Sequence, residues 1–439
     1  MEIMTTPISR IVTFCSLACC FSGVGNAAEV VLQRVPPLTV EQAPAYPENL
    51  ARYHFGAQVE AAPDGTSPST IALSTKTADK NTAPAALLCD DPTIGYALSS
   101  GSKTLLITLS KIENIDSVSF LNHGAKGELA IAMSNTKLPV DSPQWRVVAK
   151  QELAGNTVKV KVGPSEAKYV KLTFNVSEPG RIAALGVYSP PTVAAFTMPR
   201  ARKLNLEHSN SFALVSYNLT DLHSKARALY VSSGDEIRAA NNMIDDQSAT
   251  TYSFGPNDAA PTAVIDLGKV TTLRRISAIY TPRPGNVDFY VMESLPGRQG
   301  SAPKTLKVDE MTATPVGSVS DGSGRAAVDF PETQGRYIMV KWTPATQGDT
   351  GISVAEIAAF GGNGRGNLVA ANSSSSSGAN DRIESDGKTV AEGKDFGSGK
   401  DFSKEMPEEG AEAPGEGPAT GLPQPPPFVF VPELLPTSP

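Results

Sequence analysis

Two short stretches place a pair of acids a few residues before an aromatic: Leu88-Cys-Asp-Asp-Pro-Thr-Ile-Gly-Tyr96 and Ile244-Asp-Asp-Gln-Ser-Ala-Thr-Thr-Tyr252. Such a pair can shape a turn or cap a helix. Two carboxylates are also the whole catalytic equipment of a glycosidase. The rest of the chain offers little help to catalysis. Only four histidines exist (His54, His123, His208, His223), and none sits in a recognisable catalytic motif. Gly-x-Ser-x-Gly, His-Glu-x-x-His and phosphate-loop patterns are absent. Gly322-Ser-Gly-Arg325 reads as a hairpin turn, not as a phosphate cradle. The expectation is a protein that is not an enzyme.

The elements that must position these acids are strands. Lys103–Leu109, Asp116–Phe120, Thr157–Val162 and Lys168–Phe174 are short alternating runs rich in β-branched and aromatic residues. Val264–Leu267, Arg275–Tyr280, Val287–Val291 and Arg336–Trp342 look the same. No long stretch sustains a helical period. Frequent turn signals between short strands predict an all-β chain built as sandwiches. Alternation puts Trp342 on one face with Ile338 and Val340, so it is expected in a core. Trp145, after a proline turn, is expected there too.

The two acid pairs also belong to a larger repetition. Thr104–Ile112 faces Thr262–Val270 at an offset of 158 residues, apolar on apolar, and Ile115 and Val118 then face Leu273 and Ile276. Downstream, Tyr169–Phe174 faces Tyr337–Trp342. Both halves end alike, with Arg181–Tyr188 in one and Val354–Phe360 in the other. Asn49-Leu and Asn218-Leu open them. Landmarks in a kept order predict a duplicated domain. The predicted boundaries are 49–189 and 218–362, with a linker at 190–217.

With these motifs in view, Ile244–Tyr252, Ala263-Val-Ile-Asp-Leu-Gly268 and Ala355-Glu-Ile-Ala-Ala-Phe-Gly361 resemble the discoidin, or coagulation-factor type C, family. That resemblance implies two tandem galactose-binding-like jelly rolls akin to many carbohydrate-binding modules. It departs at Asp246, where Gly is usual, and at Tyr252, where Trp is usual. The first half departs further: it lacks Asp-Leu-Gly, and Ala184 stands where the second half has Glu356. The resemblance implies a structural Ca²⁺ in the second half, held by Asp245, Asp246, Thr250 and Glu356. It also implies ligand binding by loops at one end of each sandwich. There the chain has Tyr280, Arg283 and Asn286 in the second half and Asn122, His123 and Lys126 in the first. An aromatic face with polar groups beside it suits a sugar. The expected function is binding of glycans or another cell-envelope polymer. The rival reading is a structural scaffold of the envelope or of an extracellular assembly.

The flanks set the setting. Arg10 followed by apolar Ile11–Val24 and the small residues Gly25–Ala28 reads as a signal peptide over 1–28, which predicts export. Cleavage leaves Cys89 as the single thiol, so no disulfide is expected. Residues 29–48 are Pro-rich and read as irregular. From 363 to 439 the chain has 6 basic against 12 acidic residues, −6 of the total −7. It carries the serine run Ser373–Ser377 and ten prolines from Pro407 on. That composition predicts a disordered acidic tail, whose apolar Phe428–Val431 could dock on a protein partner. A nearly neutral folded part gives no reason to expect nucleic acid. No transmembrane segment is expected in the mature chain.

Overall fold

The structure is a computed structural model. It describes residues 30–62, 84–193, 217–296, 303–308, 313–320, 322–346 and 351–361. The signal, most of the linker and the tail expected from sequence lie outside the described residues. The described strands fall in one compact unit. The described residues are all-β, with two antiparallel sheets.

The first sheet comprises β2 (Gln58–Ala62), β3 (Gly95–Leu98), β4 (Gly101–His123), β5 (Lys126–Ser134), β6 (Arg146–Leu153), β7 (Thr157–Glu178) and β8 (Gly180–Tyr188). Its order is β3-β8-β4-β7-β5-β6, with β2 also on β4. β4 and β7 are long because each runs through both layers of a sandwich. Their pairing breaks between Thr108 and Glu113, and β4 changes neighbours there: β2 before the break, β8 after it. A register shift of this kind is how one strand turns the corner between layers. In Thr157–Val162 the three valines point inward and Thr157, Lys159 and Lys161 outward. Phe120, Phe174, Leu172 and Ile131 fill the space between the layers.

The second sheet holds β1 (Val31–Arg34), β9 (Arg227–Val231), β10 (Tyr252–Ser253), β11 (Thr262–Tyr280), β12 (Gly285–Met292), β13 (Thr305–Lys307), β14 (Gly317–Val319), β15 (Arg325–Pro344) and β16 (Ser353–Phe360). Its order is β13-β1-β9-β11-β15-β12-β14, with β16 on β10 and β11. β11 breaks register with β15 between Asp266 and Thr271, the same device at the same place in the fold. Ser117 pairs with Tyr188 in the first sheet, and Arg275 with Phe360 in the second. Trp342 is buried, with Phe254 and Tyr280 against its ring. Trp145 is buried too, its Nε1 donating to the Pro139 carbonyl.

One expectation is corrected here. Residues 29–48 are not irregular throughout: Val31–Arg34 is β1, paired to β9 and β13 of the second sheet. Only Leu32 points inward, against Tyr230, Val264 and Leu306. One apolar side chain in four leaves no alternation to read in the sequence.

The closing strands β8 and β16 are buried on both faces. In β16, Ile357 and Ala359 face their own core, while Ala358 and Phe360 pack on Ala86, Cys89 and Ile94 of the first sandwich. Leu121, Ala183 and Ala184 meet Ile279 and Ala355 across the same junction. Small side chains let the two sandwiches approach closely. The halves therefore meet through an apolar seam made by the last strand of each.

Candidate functional site

The acid pairs lie in this seam and are not at an open loop end. Asp91 turns its own backbone: its Oδ1 accepts from the Thr93 amide (2.9 Å) and the Thr93 hydroxyl (2.6 Å). Asp245 does likewise with the Gln247 amide at 3.0 Å. Beyond the turns, the acids reach into the other sandwich. Arg275 donates from Nε to Asp91 Oδ2 at 2.7 Å, and Ser277 Oγ to Asp91 Oδ1 at 3.0 Å. In return, Arg52 of the first sandwich donates through Nε and Nη2 to the Asp246 carboxylate. The Tyr188 hydroxyl donates to the Asp246 carbonyl at 2.9 Å, and the Asn218 amide to Asp90 Oδ2 at 2.8 Å. Each sandwich thus supplies an arginine to the other's acid pair. Burial opposes the charge of Asp91, but the Arg275 guanidinium holds its carboxyl below the usual range. Burial likewise opposes both guanidinium charges, yet the facing acids hold Arg52 and Arg275 firmly charged.

The residues expected to hold calcium are only partly gathered. Asp246, in the left-handed region at φ 57°, points its carboxylate at Arg52. Asp245, Thr250 and the Gln247 carbonyl form one oxygen cluster. Thr250 Oγ1 lies 2.8 and 3.0 Å from the two Asp245 oxygens and 2.9 Å from the Gln247 carbonyl. Glu356 Oε2 accepts from the Asp246 amide at 3.1 Å, while Glu356 Oε1 is buried without a hydrogen-bond partner. Burial first, then the neighbouring acids, push Asp245 and Glu356 well above the ordinary carboxyl range. These are hard oxygens in a site short of positive charge, and they fit a Ca²⁺ ion. Among the described residues, no three His, Cys, Asp or Glu side chains converge as a metal site. Calcium would therefore be held by Asp245, Glu356, the Thr250 hydroxyl and carbonyl oxygens, without Asp246. Its charge would balance the two acids and tie the loop to β16.

A second ionic group borders the cluster. His223 Nδ1 lies 3.2 Å from Asp221 Oδ1, and Nε2 lies 3.2 Å from the Tyr46 carbonyl. Burial opposes the imidazolium, but the hydrogen bond and charge of Asp221 and the charge of Glu48 raise His223 to about 9. A raised histidine stabilises the fold fully below its unfolded value near 6.5, and loses that contribution as pH rises through its folded value. The urea midpoint of the full chain is therefore expected to fall between pH 6.5 and 9 more steeply than that of His223→Gln. Parallel pH profiles for the two chains would overturn this assignment.

The six expected ligand residues divide. Three are spent on structure. Asn122 is buried, donating to the Ala125 and Gly155 carbonyls and accepting from the Ala125 amide. Tyr280 lies in the core, edge-on to Trp342 at 6.0 Å, and offers no face to a sugar. Asn286 is held by Asp288 and Ser320 along the hairpin. Lys126 is exposed and paired with Glu178 at 2.9 Å. Arg283 is half-buried beside Gly351. His123 stands at the end of β4, its Nε2 buried without a partner. Sequence reasoning missed its neighbours. Arg181 is the cross-strand partner of His123 on β8, and its Nε also lacks a partner. Arg325 opens β15 opposite Ile279. Only Arg325 left a trace in the sequence, as the last residue of the Gly322-Ser-Gly-Arg turn.

No family model and no curated protein matches the chain. Solved structures do. A GH29 fucosidase of Ruminococcus gnavus is 19% identical over 34% of this chain, with a TM-score of 0.27; the chain spans 27% of that protein. A fucolectin from striped bass serum is 14% identical, covering 72% of this chain and 98% of its own, with a TM-score of 0.25. A CBM32 module produced by Clostridium perfringens is 17% identical, covering 32% of this chain and 99% of its own, with a TM-score of 0.24. The structures to which the chain is similar thus include a lectin and a carbohydrate-binding module.

Proposed function

We propose that the protein is an exported, non-catalytic binding protein whose joined sandwiches take a glycan or another cell-envelope polymer. The observation that carries this reading is the pair of unpartnered nitrogens at the end of the seam. His123 Nε2 and Arg181 Nε have no partner, while Asp91, the acid whose field reaches Arg181, is held by Arg275. Arg181 still donates through Nη2 to the Gly95 carbonyl at 3.4 Å, so it is the two unpartnered nitrogens, held by a sheet, that remain for a hydroxyl-rich ligand. The two halves share one plan and reciprocal contacts, which supports descent from one duplicated domain. Calcium at Asp245, Thr250 and Glu356 belongs to the same reading, as a structural ion.

The scaffold reading rests on a different observation. The seam joins the sandwiches through apolar contacts and buried ion pairs, as a rigid spacer would require. A glycan array probed with the full mature chain separates the two. Binding to a coherent set of glycans is expected. Silence across the array would leave the scaffold reading in its place.

A further inference from the structure

The seam ends in a group of basic side chains contributed by both sandwiches. Leu121 and His123 share one face of β4, and their partners Ala183 and Arg181 share the same face of β8. Leu121 and Ala183 pack on Ile279 of the second sandwich, and Ile279 is the cross-strand partner of Arg325. The row next to that apolar contact therefore brings His123 and Arg181 beside Arg325. Lys126, three residues beyond His123, is neutralised by Glu178. Asp91, the acid whose field reaches Arg181, is committed to Arg275. Among the described residues no carboxylate forms an ion pair with His123, Arg181 or Arg325.

The crowding is felt. Burial first, then the charges of Arg325 and Arg181, lower His123 to about 4, so its ring is neutral near pH 7. Burial and Arg325 also lower Arg181. Like charges held together without a counter-charge cost stability. A group that brings negative charge and acceptor oxygens would relieve the repulsion and satisfy both orphaned nitrogens.

We infer that the end of the seam is a subsite for an anionic group on the bound glycan, a uronate carboxylate or a sulfate ester, held jointly by His123, Arg181 and Arg325. This inference rests on the glycan-binding reading and narrows it to acidic polymers. It also makes the joined pair the binding unit, because Arg325 comes from the other sandwich.

The test is calorimetry on the full mature chain with three oligosaccharide probes: oligogalacturonate, a sulfated galactan and a neutral galactan. Preference for one or both charged probes is expected, and which one binds tells carboxylate from sulfate ester. Arg325→Ala and Arg181→Ala should each weaken that binding about tenfold or more and flatten its salt dependence, while Arg325→Lys keeps part of it. Relief of repulsion predicts that the ligand-free Arg325→Ala chain melts no lower than wild type, which guards against a folding artefact. Equal binding of neutral and charged galactans, unchanged in Arg325→Ala, would overturn the anionic subsite and leave glycan binding intact. If no oligosaccharide binds, glycan binding fails, and the His123 ring resonance under inorganic sulfate decides the subsite alone. A shift lost in Arg325→Ala sustains an anion site there; no shift overturns it.

Discussion

Arg275→Ala is expected to destabilise the full chain by about 3–5 kcal/mol, the range for breaking one side of a buried ion pair. The side chain of Arg275 is 6% exposed and that of Asp91 is fully buried. Its guanidinium serves two acids, Asp91 at 2.7 Å and Asp329 at 2.8 Å. Removing it leaves the Asp91 carboxylate in the seam with only hydroxyl and amide donors. That carboxyl must then take up a proton or draw water between the sandwiches. The companion Asp91→Asn removes the charge and keeps the shape, so the double variant should lose less than the two single losses added together. A coupling of about 0.5–3 kcal/mol from the urea-denaturation cycle is the expected sign of contact. Arg52→Ala should behave similarly through Asp246. The internal control is Lys126→Ala. Both members of that pair are more than half exposed, and surface pairs contribute at most about 1 kcal/mol. A loss from Arg275→Ala as small as the control's would mean that the seam opens to water and the crossed pairs hold nothing together.

These crossed pairs explain where reading the sequence succeeded and where it stopped. The strands were legible because their alternation is local: Thr157–Val162 carries its in-and-out pattern in consecutive letters. At the offset of 158 residues, apolar positions such as Ile107 and Ile265 are buried in the cores of the first and the second sheet. The closing strands were readable as apolar but not as a seam. Val354-Ala-Glu-Ile-Ala-Ala-Phe360 lacks the polar alternation of a half-exposed strand, and that lack is the mark of burial on both faces. The partners of the acids were not readable. Arg52 and Asp246 are 194 residues apart, and Asp91 and Arg275 are 184 apart. No spacing rule reaches across two sandwiches. Tyr280 and Asn122 were misjudged for a related reason. Both stand at the end of a strand, where the residue type is the same whether the side chain faces solvent or folds back to fill a core or a turn. Arg181 is a strand residue, and only register with His123 reveals it as part of a site.

Chelating calcium is expected to lower the melting temperature of the full chain by several degrees, and Glu356→Gln is expected to erase that sensitivity. The cause is a buried surplus of negative charge. Asp246 is balanced by Arg52, but Asp245 and Glu356 face no guanidinium of their own, and Glu356 Oε1 has no donor at all. A cation that binds only the folded chain stabilises it by RT ln(1 + [L]/Kd), about 2.7 kcal/mol at a hundredfold excess over Kd. Glu356→Gln keeps the side chain's size but removes the carboxylate that joins β16 to the Asp loop, leaving one acid where two are needed. The variant should melt at one temperature with or without calcium, below wild type in calcium. Thr250→Val removes an oxygen without touching charge and should weaken the calcium response partially. Asp246→Asn tests the departure from the family's pattern: it should lower stability through Arg52 while leaving the calcium response in place. Equal melting of wild type in calcium and in chelator, with Glu356→Gln more stable than wild type in both, would reject the ion. The pocket would then be a cluster of hydrogen-bonded acids, kept for joining the two sandwiches at a cost in stability that Arg52 only partly offsets.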